Sequence, residues 1–491
     1  MNSIQTQVQQ HSSGPAGSRS TQKINPTEKK EYYDISLREN DYVVLNKGLA
    51  LNMSYQFGFD NLNVRAFRKA TLELVRLEEI LRTTYIYVGD KIKRKIHDFE
   101  TFNFSIEELD LSGEPFRYET LEAIYLKEGK FLFNTEKGPL MKAILCDLGG
   151  GKYKFILVMH HVICDAMSVS ILTRLQLNLY KQFLTSDTRE GTPSKIQYKD
   201  YAIWQNRMFE NGQKAQGRAY WQNKLCVYER PISYEVFKNN YTKEFPMTGI
   251  DESTRYQTHA ELSGILNDPK GRTLSLTTNN KVREDIIKLA MENKFSPFGI
   301  LLVSLSALLF KLNAQQKILF AVPSTNRFLL NETKEMIGNM MGDIYVSIEI
   351  NDAMTLNDIM KSLKKDMAES SKHTITGYQD FEGLSFRTIT SLFVNYLDKG
   401  IVGPKQLNHP EVILGNGKQN PFCALECVVR EFTNGFFLDW RFNRKIFTDE
   451  MIQYLANCHI SILASMHDDW DAPIGRHNTA IVAPIEIAGS I

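Results

Sequence analysis

Two adjacent histidines and an aspartate close an oily run: "FILVMHHVICDAMSVSIL", Phe155 to Leu172, carries His160, His161 and Asp165 where apolar side chains would be expected. A neutral imidazole, with a pKa of about 6.5, accepts or positions a proton at neutral pH. A carboxylate in an apolar setting needs a cation or hydrogen-bond donors beside it. The spacing therefore suits proton handling by one ring while the acid organises its surroundings. The alternative is a hydrogen-bonded core histidine, and these residues alone leave both open. Successive side chains on a strand point to opposite faces, so a strand running through the pair turns His160 and His161 opposite ways.

The elements that must hold these residues follow from periodicity. "KYKFILVMHH" is apolar on both faces and predicts an interior strand. The helix expected after it, "MSVSILTRLQLNLYKQFL", lines Ile171, Leu172, Leu175, Leu179 and Phe183 along one side. Upstream, "VRAFRKATLELVRLEEIL" spaces Phe67, Leu72, Val75 and Ile80 as a helix, and "LRTTYIYV" turns β-branched and aromatic as a strand. "LGGG", Leu148 to Gly151, reads as a hairpin turn, since no Lys-Ser or Lys-Thr follows at phosphate-loop spacing. Trp204 and Trp221 anchor two further helices, and the polar, loop-like stretch from 210 to 270 separates two halves. In the second half, strand, helix and buried helix run through "TLSLTTNNKVREDIIKLAMENKFSPFGILLVSLSALLFKL". "KILFAVPSTNR" reads strand then loop, and "GFFLDWRFNRKIF" with "TDEMIQYLANCHISILASM" closes on strand and helix. The fold class expected is α/β (α+β) in two similar halves.

Composition excludes several function classes. The 491 residues carry 58 Lys and Arg against 57 Asp and Glu, so a net charge of +1 gives no reason to expect nucleic acid or an anionic membrane. The six cysteines are scattered and no two pairs complete a zinc site, which predicts free intracellular thiols and no metal. The first thirty residues are Gln-, Ser-, Gly- and Lys-rich with no apolar core of signal-peptide length. A flexible tail and a cytoplasmic location are expected. "FGILLVSLSALLF", Phe298 to Phe310, falls short of the roughly 20 residues that cross a bilayer and predicts a buried helix, not a membrane span.

Placed at a strand-to-helix junction, "MHHVICDAMS" resembles the HHxxxDG motif of condensation domains from nonribosomal peptide synthetases. Three further stretches resemble that family in the same order. "EEILRTTY" is similar to RHExLRTxF through Glu79, Leu81, Arg82 and Thr83; "YKDYAIW", Tyr198 to Trp204, is similar to YxDFAVW; and "IGNMMG", Ile337 to Gly342, is similar to the start of IGxFVN. The likeness runs from about Tyr33 to Met466. The sequence departs from the pattern at Ala166 and Gly342, which replace the motif glycine and asparagine. "YQDFEGL", Tyr378 to Leu384, and "DISLREND", Asp34 to Asp41, are faint echoes, the latter keeping Ser36. Epimerase (EGHGRE) and plant acyltransferase (DFGWG) motifs are missing.

The resemblance implies two chloramphenicol-acetyltransferase-like lobes in a V, with the active site in the cleft between them. The expected bounds are a disordered tail at 1–30, lobes at 31–225 and 226–480, and a C-terminal tail at 481–491. It further implies transfer of an acyl or peptidyl group from a thioester on a carrier-protein phosphopantetheine arm to an amine, with no bound cofactor. His161 is the implied catalytic residue and His160 structural support. Asp165 organises the loop beside Ala166, paired with Arg327 at the end of "AVPSTNR"; a solvated loop arginine is the other reading of Arg327. Ser168, Gly338 and Gly342 are candidates for the substrate channel, with helix capping as the other reading of Ser168. No carrier serine, adenylation or thioesterase motif occurs, so a free-standing monomer is expected, working in trans with the carrier. A hydroxyl acceptor, giving an ester, and a non-catalytic carrier-binding relative are the alternatives.

Overall fold

The computed structural model describes residues 23–45, 50–186, 191–225, 271–313, 316–373, 392–397, 425–444 and 447–476. The first half runs β1 (Tyr33–Asp34), α1 (Leu37–Leu45), β2 (Asn52–Asp60), α2 (Val64–Leu77), β3 (Thr83–Val88), β4 (Lys91–Ile96), β5 (Ile106–Asp110), α3 (Arg117–Glu128), β6 (Met141–Asp147), β7 (Lys152–His160), α4 (Ala166–Phe183), α5 (Tyr198–Glu210) and α6 (Gln213–Leu225). The second runs β8 (Gly271–Thr277), α7 (Asn280–Glu292), α8 (Pro297–Asn313), β9 (Lys317–Thr325), β10 (Met341–Glu349), α9 (Leu356–Ser370), β11 (Leu392–Leu397), β12 (Leu425–Phe432), β13 (Gly435–Asn443) and α10 (Asp449–Ser465).

β7 lies inside a four-stranded sheet of order β2-β7-β6-β5, antiparallel to both neighbours. Its register sets Asn52 opposite His160 and Met141 opposite Met159. With strands on either side, Phe155 through Met159 are buried on both faces, the physical reason for the unbroken oily run. The turn from β6 to β7 uses Gly149, Gly150 and Gly151, all at positive φ (79°, 61° and 77°), where a side chain would be strained. α2 starts on Asn63, whose side chain accepts from the Ala66 N–H, and it buries Phe67, Ala70, Leu74 and Val75. It stops at Leu77, so Ile80 is buried from the short turn that follows rather than from the helix. A smaller sheet, β1-β4-β3, completes this lobe.

The second lobe wraps helices around a six-stranded sheet of order β10-β9-β11-β12-β13-β8. α8 is its central helix: Ile300, Leu301, Leu302, Val303, Leu305 and Leu308 are wholly buried. No single described helix is long and apolar enough to cross a membrane.

Two expected bounds shift. The stretch 23–30 is anchored at two points although most of its residues are exposed: Ile24 is 1% exposed, and the Thr27 N–H donates to Asp200 at 2.7 Å. The first lobe also does not extend to residue 225. α6 joins the second lobe's core through Trp221, whose indole N–H donates to the His373 carbonyl at 2.9 Å, and through Lys224, held on Asp366 at 2.7 Å. α5 keeps Tyr198, Tyr201 and Trp204 in the first lobe's core, so the crossover falls at Asn211–Gly212, with Gly212 at φ 88°. Conversely, Met336, Ile337 and Met340, late in the chain, pack into the first lobe.

Candidate active site

β7 ends at His160, and the loop His161–Asp165 turns the chain into α4. His160 is wholly buried. Its Nδ1 accepts from the Val162 N–H at 3.1 Å, so its proton sits on Nε2, and its ring meets Phe133 edge-on. Burial, and secondarily the neighbouring His161, hold its pKa down to about 3, so it stays neutral.

His161 leaves the strand line and is only partly buried. Its Nδ1 lies 2.8 Å from the Cys164 carbonyl oxygen. A carbonyl can only accept, so Nδ1 carries the proton and Nε2 is left with the lone pair. Burial, opposed by the Cys164 contact and the charge of Asp165, holds the ring below its usual pKa. At neutral pH the ring is therefore uncharged. Tyr42, from α1, covers one ring face at a centroid distance of 4.7 Å and 31° tilt.

Asp165 caps α4. Its Oδ1 accepts from the Ser168 N–H and hydroxyl, each at 2.7 Å, and its Oδ2 from the Met340 N–H at 3.0 Å. Arg327 arrives from the end of β9 and sets Nη2 at 2.9 and 2.8 Å from the two carboxylate oxygens. Both side chains are shut from solvent. Burial alone would raise the Asp165 pKa; the Arg327 cation, Ser168 and Met340 outweigh it and hold the acid below the usual range. Of the other two guanidinium nitrogens, Nη1 donates to the Met336 carbonyl, while Nε is buried with no hydrogen-bond partner.

Ser168 is neither the cap nor open to a channel. It sits three residues into the capped turn, 0% exposed. Its hydroxyl donates to Asp165 or the Gly338 carbonyl (2.8 Å) and accepts from the Gly338 N–H (3.1 Å) and Arg327 (3.0 Å). Gly338 is buried at φ 149°, and a Cβ there would stand 2.0 Å from the Tyr198 ring. It is a close-packing position between the lobes. Gly342 is buried within β10 opposite Ser324. Ala166 is the first residue of α4, a helical backbone position that suits alanine. The stretch Tyr378 to Leu384 lies outside the described residues. No group of acidic, His or Cys residues suited to a metal occurs among the described residues.

Three contributors carry no periodic signal. Asn339 is wholly buried, and its amide donates to the His161 carbonyl at 2.8 Å. Arg38 crosses from α1 to the Met341 carbonyl (2.8 Å) and Asp343 (2.6 Å). Glu39 accepts from the Ser36 N–H at 2.7 Å, from the Tyr85 hydroxyl at 2.7 Å and from buried Arg94. The pair Ser36 and Glu39 closes a capping box on α1, since the Glu39 N–H returns to the Ser36 hydroxyl at 3.2 Å. A serine followed three residues later by glutamate in "DISLREND" was the signal that could have found it.

The family model described as Condensation domain matches residues 45–481. The chain belongs to the condensation domain family. It is similar to surfactin synthase subunit 1 of Bacillus subtilis (strain 168), 26% identical over 355 residues, 71% of this chain and 9% of that protein. It is also similar to gramicidin S synthase 2 of Brevibacillus brevis, 23% identical over 478 residues, 94% of this chain and 10% of that protein. This condensation domain chain thus spans about a tenth of the length of those relatives. Among solved structures, the condensation domain of the monacolin K polyketide synthase superposes with a TM-score of 0.73 at 14% identity, covering 92% of this chain and 100% of that one. The X-domain from teicoplanin biosynthesis superposes at 0.71 and 15% identity, covering 93% and 99%. The condensation fold, two lobes like chloramphenicol acetyltransferase, is the architecture described above. Its HHxxxD residues sit where the lobes meet.

Proposed function

We propose that this condensation domain joins an acyl or peptidyl group, held as a thioester on a carrier-protein phosphopantetheine arm, to an amine. The amine nitrogen attacks the thioester carbonyl, the carbon–nitrogen bond forms and the carbon–sulfur bond breaks. His161 Nε2 takes the proton that the amine loses, and the proton then passes to the departing thiolate. The observation that carries this reading is the Nδ1 contact with the Cys164 carbonyl, which leaves Nε2 free as a base. The lowered His161 pKa keeps that nitrogen unprotonated at neutral pH. The Asp165–Arg327 pair holds the loop's shape and touches neither reactant.

The test is an incubation of the protein with a loaded carrier protein and either an amine or a hydroxyl acceptor, with products weighed by mass spectrometry. Amide formed by the native protein and lost in His161→Ala supports the proposal. Ester alone redirects it to hydroxyl acceptors. Carrier binding with no product from either acceptor overturns it in favour of a binding-only relative.

A further inference from the structure

His161 belongs to the first lobe, yet the side chain that holds its backbone comes from the second. Asn339 lies 178 positions further along the chain. Its Oδ1 accepts from the Met341 N–H at 3.1 Å, which turns Nδ2 toward His161, where it donates to the carbonyl at 2.8 Å. One flank offers only a donor and the other only an acceptor, so the amide has a single satisfactory orientation. Its second N–H is then 3.2 Å from His161 Nδ1. The segment that carries Asn339 is itself bolted to the first lobe: the Gly338 N–H donates to the Ser168 hydroxyl at 3.1 Å, the Asn339 carbonyl accepts from the Tyr198 hydroxyl, and Met340 N–H reaches Asp165 at 3.0 Å.

We propose that Asn339 is a positioning residue through which the second lobe sets the orientation of His161, so that the base of one lobe is held in place by docking of the other. Two groups compete for Nδ1. The Cys164 carbonyl accepts from the protonated nitrogen, whereas the Asn339 N–H would bond only a deprotonated one. The Cys164 contact is the shorter, 2.8 Å against 3.2 Å, so Nδ1 keeps its proton and Nε2 its lone pair. A lobe shift that withdrew Asn339 would free the loop backbone and the ring together. Tyr42, on the ring's open face, and Asn339 close two sides of the imidazole. The charged groups acting on it are Asp165 on its own loop, which favours the protonated ring, and Arg38 on α1, which opposes it; His160 adjoins it on the strand.

This inference rests on His161 being the base, and the experiment separates the two. The full chain is labelled at histidine nitrogen and carbon, with His161→Ala used to assign the His161 signals. Tautomer and titration midpoint are read by NMR in the native protein, Asn339→Asp and Asn339→Ala, alongside kcat and KM for condensation with a loaded carrier and an amine. In the native protein Nδ1 carries the proton and the midpoint lies below about 6.5. A carboxylate at 339 moves the midpoint up by about one unit or more, and the acid limb of kcat/KM moves with it. Asn339→Ala removes the competing donor, so Nδ1 stays protonated, but it frees the loop backbone and lowers kcat roughly tenfold at unchanged KM, within the range for acid–base effects. An unmoved midpoint in Asn339→Asp, or an unchanged kcat in a folded Asn339→Ala, overturns the positioning role. Should the midpoint move while the rate limb stays still, Asn339 positions His161 but the base is another group.

Discussion

His161 carries a proton only where its environment allows, and here burial sets that limit. Because the folded ring sits below its ordinary pKa, the acid limb of kcat/KM should lie under about pH 6.5. A pH–rate profile that already falls at higher pH would contradict this. Replacing the ring with a methyl should cost about 10²–10⁴-fold in turnover, the usual worth of a positioned base, with the fold intact by circular dichroism. Asp165 behaves differently. Removing it leaves Arg327 charged, wholly buried and without its carboxylate, which should cost roughly 3–5 kcal/mol of stability. Denaturant titration of Asp165→Ala measures that loss, and activity should fall with it. Ala166→Gly makes the converse case: at the first helical position it should change stability by less than about 1 kcal/mol, because the motif glycine serves no backbone need at this position.

At the scale of elements, the site depends on β7 stopping where it does. The strand's ladder runs to His160, and the next backbone N–H, that of His161, reaches the Leu51 carbonyl at 2.7 Å before the loop turns. Asp165 then caps α4, so strand end and helix start hold the two functional groups four residues apart. The Gly338 segment is the stretch of the second half of the chain that packs against the first lobe. At φ 149° and with a Cβ 2.0 Å from the Tyr198 ring, Gly338→Ala must push apart the contacts from Tyr198 to Asn339 and from Ser168 to Gly338. Thermal unfolding should show a clear destabilisation and condensation should drop with it. Gly342→Ala, inside β10 and at no positive φ, should be the milder change in both measurements.

For the whole molecule, two buried histidines set the acid limit. His160 in the first lobe and His459 in the second are both wholly buried and held at about 3, His160 by burial and then His161, His459 by burial. In the unfolded chain both titrate at about 6.5. Above that value neither state binds the proton and stability is at its full level; as pH falls toward about 3 the unfolded chain gains protons that the folded one refuses. Stability should drop by about 1.4 kcal/mol per pH unit for each histidine. Urea unfolding of His459→Phe between pH 7 and pH 5 should show a flatter dependence than the native protein.

How far the sequence reached follows from the range of each contact. β7, α4 and the buried α8 were readable because a doubly covered strand or core helix must be apolar along its own length, and the ordered motifs around His161 marked the family. The Asp165–Arg327 pairing was readable only through resemblance, since nothing in "AVPSTNR" itself calls for a buried cation. Periodicity reports neighbours within one element. It is silent on Asn339, which meets His161 across 178 positions and looks in the sequence like any polar loop residue. It is equally silent on which core α6 enters, because an amphipathic or aromatic helix face shows that it will be buried but not against what. Residue type and order determined the elements and the proton-handling chemistry. Only the docking of the lobes decided what holds the His161 loop in place, because Asn339 and Arg327 are brought to it by tertiary packing from far along the chain.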